Sequence, residues 1–100
     1  MTVQEEIHIL KARKKEYDLF IDTIHRLDLS KKETILLNLL AERKIFNLGG
    51  ATIAELCEKM SVSENTMRKL LHNVDRYIYT IREGKTKQFG LHNDFLVMNQ

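Results

Sequence analysis

The stretch SENTMRKLLH, residues 63–72, gathers Ser63, Asn65, Arg68, Lys69 and His72 within a few turns of chain. An asparagine can hold adenine by two hydrogen bonds, and an arginine or lysine can bind the acceptor pair on guanine. A serine just ahead of a helix leaves unpaired amides beside it, and those amides, with the helix dipole, favour a phosphate. A second basic group, Arg82, Lys85 and Lys87, surrounds Gly84. Cations so placed can follow a phosphate backbone or enter a minor groove, where they position a protein more than they specify a sequence. The chemistry these residues offer is therefore recognition of double-stranded DNA. Asn65 and Arg68 are the expected base readers, Ser63 a phosphate contact, and Lys69 and His72 suit either role.

Charge placement agrees with this reading. The whole chain carries a formal charge of +2, too little for charge alone to prove an anionic partner. Residues 64–92 hold six basic against three acidic residues, net +3, whereas residues 1–30 hold five against six, net −1. A basic helix face by itself is more often a solvated surface, so the elements that carry it have to decide.

Those elements can be read from spacing. Met67, Leu70, Leu71 and Val74 fall on one side of a helix running from the cap at Ser63 to about Arg76, which leaves Glu64, Asn65, Arg68, Lys69, His72 and Arg76 on the remaining arc. After Arg76 the period changes to that of a strand. Tyr77, Tyr79 and Ile81 share one face, Glu83 and Gly84 offer a tight turn, and Lys87 to Leu91 returns, giving a hairpin over 77–91 whose register the residues leave open. Upstream, Ser30 with Glu33 and Thr52 with Glu55 read as capping boxes. They open one helix ending near Phe46 and a short one ending at Glu58 or Met60. Ile35, Leu36, Leu37, Leu39 and Leu40 cover more than one stripe of the first, so it should lie between two partners. Gly49 and Gly50 break the chain between the two helices.

In TIAELCEKMSVSENTMRKLLHNV, Leu56 and Met60 face the core from one helix, Val62 plugs the turn, and Met67 and Leu70 pack from the next. Cys57 takes the small-residue position where the helices cross, and YIYTIREGKTKQFGL follows with a glycine turn and basic residues near its tip. In this order of helices and hairpin the sequence resembles the winged helix-turn-helix superfamily, over about residues 30–92. Within it the arrangement is most similar to the MarR-like regulators, in which a long N-terminal helix helps to build a dimer, and more loosely to the Mga-type regulators. Ser61 stands where glycine is common in the turn, and the wing has no Asp-x-Arg signature. The resemblance implies a mainly α fold with a small β-hairpin and the function of a sequence-specific transcriptional regulator.

The long N-terminal helix, residues 3–27, carries Val3, Ile7, Leu10, Tyr17, Ile21 and Ile24 at alternating four- and three-residue steps, with Lys14 in the gap. A helix of about 25 residues is roughly 37 Å long, more than a small core covers on one side, so part of the stripe is expected to pair with a second copy of the chain. Phe20 and Leu27 widen the apolar face towards the C-terminal half, which should pack on the domain while the first half reaches out. The expected organisation is a dimerisation helix over 1–29, the winged domain over 30–92, and a tail over 93–100 that either docks or frays.

Other classes of function find little support. One hundred residues form a single domain, with no apolar run near the roughly 20 residues that span a bilayer. There is no Gly-rich phosphate loop, nucleophile elbow or HExxH, so no enzyme is expected. His8, His25, His72 and His92 show no zinc-ligand spacing, and neither metal nor cofactor is expected. The lone Cys57 reads as a small buried core residue in a reducing, cytoplasmic compartment. The residues do not identify any small-molecule effector. Two competing readings use the same fold: a protein-interaction adaptor working through the N-terminal stripe or the apolar run Phe95 to Met98, and a replication or packaging factor binding DNA with little specificity.

Overall fold

Three of the helices begin on reciprocal caps. Thr2 with Glu5, Ser30 with Glu33 and Thr52 with Glu55 each exchange side-chain and backbone hydrogen bonds, satisfying amides that the first helical turn leaves without partners. In the computed structural model, which describes residues 2–99, they open α1 (Val3–His25), α2 (Lys31–Ile45) and α3 (Ile53–Met60). Ser63 caps α4 (Glu64–Asn73) through the Thr66 amide. A 3-10 turn over Asp75–Tyr77 leads into β1 (Ile78–Glu83), β2 (Thr86–Leu91) and a last short helix, α5 (Phe95–Met98).

Two helices end on left-handed residues. Asn47 (φ 55°) follows α2 and lets the Leu48 amide donate back to the Arg43 carbonyl; Ser61 (φ 53°) follows α3, and the Val62 amide donates to the Cys57 carbonyl. These bonds satisfy carbonyls orphaned at the helix ends and reverse the chain sharply. Glycine is favoured in such a turn because a Cβ is disfavoured at positive φ, which gives Ser61 a physical cost.

The core lies around α2. Leu36, Leu37, Leu40, Ala41 and Ile45 are buried between α1 on one side and the α3, α4 and β2 layer on the other, as the breadth of the apolar face predicts. From α1 only Phe20, Thr23 and Ile24 are fully buried, so the C-terminal half of that helix belongs to the domain core. From α4 the predicted inward set Met67, Leu70 and Leu71 is buried, with Val74 at its cap.

β1 and β2 pair antiparallel from Ile78 opposite Leu91 to Glu83 opposite Thr86. The loop is thus two residues, Gly84 and Lys85, one position later than the sequence suggests. Gly84 has φ +60° and Lys85 stays at negative φ, the pattern of a type II′ turn, whose twist matches that of the strands. Ala51 adds a single bridge to Phe89, with both backbone hydrogen bonds at 2.8 Å, so β2 is held between the hairpin and the linker ahead of α3. The Tyr79 ring lies over Gly90 so closely that a Cβ there would sit 2.3 Å from it.

Several sequence expectations are corrected. α4 stops at Asn73 rather than about Arg76, because Val74 leaves helical geometry (ψ 15°) and the next residues tighten into the 3-10 turn that aims Ile78 into the sheet. Tyr77 belongs to that turn and not to the first strand. Cys57 is only half-buried and packs at the margin of the core. The tail docks: Phe95 is buried, its ring 6.0 Å from that of Phe20 and 5.8 Å from that of Tyr77 in an edge-on contact.

Candidate nucleic-acid interface

α4 offers its polar face to solvent for a simple reason. With 3.6 residues per turn, the buried Met67, Leu70 and Leu71 fix one side, and Asn65, Lys69 and His72 project from the opposite one; all three are exposed. Glu64 and Arg68 lie on a flank between the two. The sequence groups Arg68 with Asn65 as a base reader, whereas the structure divides them.

That flank faces the hairpin. Arg68 lines an open cleft together with Arg82, Lys85 and Lys87 from the hairpin, the hydroxyl-bearing Thr52 and Thr86, and Ile53 at the start of α3. The two basic groups expected from the sequence therefore meet, with Arg68 as the member α4 contributes. The guanidinium of Arg68 is ion-paired with Glu64 one turn earlier, and both side chains remain more than half exposed. An i,i+4 pair with the acid on the N-terminal side is the favourable orientation on a helix and also suits the helix dipole.

Ser63 is committed to the helix. Its Oγ accepts from the Thr66 amide at 3.2 Å and donates to Thr66 Oγ1 at 3.0 Å. Any anion at this terminus would meet the amides of the first turn rather than the hydroxyl. Beyond α4, Arg76 sits over the Tyr77 ring, 5.6 Å from its centroid, away from the cleft. Thr52 and Thr86 were not among the site residues drawn from sequence: Thr52 reads only as a cap, and a threonine in a strand carries no distinctive signal.

Arg43, which the sequence presents as one more cation on an amphipathic helix, ties the linker and α3 to α2. Its Nε donates to the Gly49 carbonyl at 3.2 Å, its Nη2 to the carbonyls of Leu48 (3.1 Å) and Gly50 (2.9 Å), and its Nη1 pairs with Glu55 at 3.5 Å. One planar fork thus gathers the carbonyls of the linker and ties α3 to α2, a geometry a lysine cannot reproduce. At the start of α2, Glu33 accepts from the Ser30 amide and, as the largest effect on its ionisation, that bond holds its carboxyl below the ordinary value, with smaller help from Asn73 and against the desolvation of partial burial.

Solved structures share this arrangement. MepR of Staphylococcus aureus bound to ethidium bromide superposes with a TM-score of 0.59 at 17% identity, over 98% of this chain and 70% of that one. MepR described as a transcription regulator of the S. aureus multidrug efflux pump MepA gives 0.59 at 15% identity, over 98% and 71%. The fold is a winged helix-turn-helix. α3 and α4 are its helix-turn-helix, β1 and β2 its wing, and α1 the long N-terminal helix that the sequence resemblance implies. At this level of identity the shared property is the fold. No protein-family model matches the chain, and no curated protein matches it in sequence.

The N-terminal stripe divides in two. Val3, Ile7 and Leu10 are 71%, 46% and 58% exposed, whereas Tyr17 and Ile21 are half-buried and Ile24 is completely buried in the chain's own core. Ile24 therefore cannot serve a dimer seam without unpacking the domain, and its place in the expected dimerisation set is corrected. Lys14 is exposed and leaves the stripe interrupted. Among the described residues no group of side chains could hold a metal ion, and no helix is long and apolar enough to cross a membrane.

Proposed function

We propose that the chain is a DNA-binding transcription regulator that acts as a homodimer. The observation that carries this reading is the polar outer face of α4, standing beside a wing whose three cations share a cleft with Arg68. The winged-helix fold shared with a transcription regulator supports it. In this reading α4 enters the major groove, Asn65, Lys69 and His72 reach base edges, and Arg82, Lys85 and Lys87 follow the phosphates of the same half-site. The amides behind Ser63 add a phosphate contact.

The dimer rests on the exposed apolar residues Val3, Ile7 and Leu10, which a second α1 would cover. Tyr17 and Ile21 would border that seam. Two protomers related by a two-fold axis would place their α4 helices in successive major grooves, roughly 34–36 Å apart, and so favour a pseudo-palindromic site. The test is enrichment from a pool of random duplexes, with the solution mass measured in the same buffer. A dimeric mass with an enriched inverted repeat is the expected result. A dimeric mass with no enriched sequence would favour a low-specificity DNA-binding factor, and absence of duplex binding would favour an adaptor that uses the same exposed stripe for a protein partner.

A further inference from the structure

Arg68 and Glu64 pose a problem that the proposed function leaves open. A carboxylate at the first position of α4 stands where phosphate is to approach, and like charges repel there. It is also the ion-pair partner of Arg68, the cation that joins α4 to the wing cleft. Glu64 itself does not line the cleft. The carboxylate thus neutralises Arg68 from outside the cleft, with nothing burying the pair.

We propose that Glu64 is an internal substitute for a DNA phosphate, occupying Arg68 in the free protein and so lowering the affinity of the wing cleft for the backbone of any duplex. The proposal rests on the DNA-binding reading and deepens it. Arg68 belongs functionally with Arg82, Lys85 and Lys87, and binding exchanges its carboxylate partner for a phosphate. The exchange is easily made because both side chains are more than half exposed (59% for Arg68 and 61% for Glu64), so neither has to leave a buried site. Base preference comes from the opposite arc of α4 and is untouched by it.

The geometry makes a distinctive demand on the energetics. If Glu64 merely repels DNA, removing it helps equally whether or not Arg68 is present. If Glu64 occupies Arg68, removing it releases a cation, and Arg68 then matters more than it does in the parent. The experiment is a double-mutant cycle with the full chain, comparing the parent, Glu64→Gln, Arg68→Ala and the double variant on matched and scrambled duplexes over a salt series. Thermal melts of each variant confirm that the helix is intact.

Glu64→Gln is expected to bind both duplexes about 3- to 10-fold more tightly and to steepen the salt slope of the dimer by about 1.8, the value of one further neutralised phosphate in each protomer. Arg68→Ala is expected to weaken the parent less than about 2-fold and to weaken Glu64→Gln by more than that. An equal effect of Arg68→Ala in the two backgrounds would overturn the proposal. So would weaker binding by Glu64→Gln, or a change in base preference, which would make Glu64 a reader of cytosine N4. Failure of the parent to bind any duplex would remove the DNA-binding reading itself, and this proposal with it.

Discussion

Ser61→Gly is expected to stabilise the protein, and the size of the gain follows from two opposed terms. Ser61 ends α3 at φ 53° and ψ 47°, a conformation in which the Cβ of an L residue crowds the following carbonyl at about 1–2 kcal/mol. Glycine removes that crowding but loses about 0.5–1 kcal/mol more conformational entropy on folding. Ser61 is exposed, so its side chain leaves no cavity. The strain term wins by about 0.5–1 kcal/mol, which for a domain of this size raises the melting temperature by about 2–8 °C. Calorimetry with parallel urea titration reads the effect, and an unchanged m-value shows that the denatured state is the same. Asn47→Gly is the internal control. Asn47 has nearly the same φ, but asparagine tolerates this region through local hydrogen bonding, so its gain should be smaller. An unchanged or lowered melting temperature for Ser61→Gly, or an equal gain at both sites, would refute the reasoning.

Phe95→Ala empties a fully buried site between Phe20 and Tyr77 and should destabilise the domain by about 3–5 kcal/mol in urea unfolding; a loss under 1 kcal/mol would show that α5 does not anchor α1 to the base of the wing. Arg43→Met keeps the stem but leaves the linker carbonyls without their donor, and a loss of about 1–3 kcal/mol is expected, with amide exchange of the linker and α3 accelerated more than that of α4. Glu33 ionises below its ordinary value near 4.5 in the folded chain, so it contributes stability that is present above that pH and is lost as pH falls through the lower folded value. The melting-temperature difference between the parent and Glu33→Gln should accordingly shrink below about pH 4.5, and a difference that stays constant down to pH 3 would contradict the assignment.

Much of this fold is legible in local chemistry. The capping boxes at Ser30 and Thr52 place two helix starts correctly because a cap is a local hydrogen-bond pattern, and the inward set of α4 follows from a single period. The turn at Gly84 is visible as a turn, yet its register is fixed only when Ile78, Phe89 and Leu91 find their places against the core. The bridge between Ala51 and Phe89 spans one residue and leaves no periodic trace. The site was half legible for the same reason. Residue types separate a basic surface from a neutral one, but Arg68 meets the wing cations across a cleft only because α3 packs on both α4 and β2, a tertiary fact that helical spacing does not contain. The role of Arg43 has no sequence signal because its partners are backbone carbonyls, which no residue type announces. Ile24 lies on the apolar stripe that its spacing predicts, but the chain's own core covers it: periodicity gives an apolar face without saying which surface packs on it.

In the proposed function the α4 and wing surface binds duplex DNA through its cations. Titration of the full chain on random-sequence duplexes between about 50 and 200 mM salt tests it most directly. With Arg82, Lys85 and Lys87 each neutralising a phosphate, and Arg68 offset by Glu64, a dimer should give a slope of log affinity against log salt of about −5. Lys85→Ala, removing two of those contacts from the dimer, should flatten the slope by about 2 and weaken all sequences alike. No binding at the lowest salt, or a slope that Lys85→Ala leaves unchanged, would contradict the account.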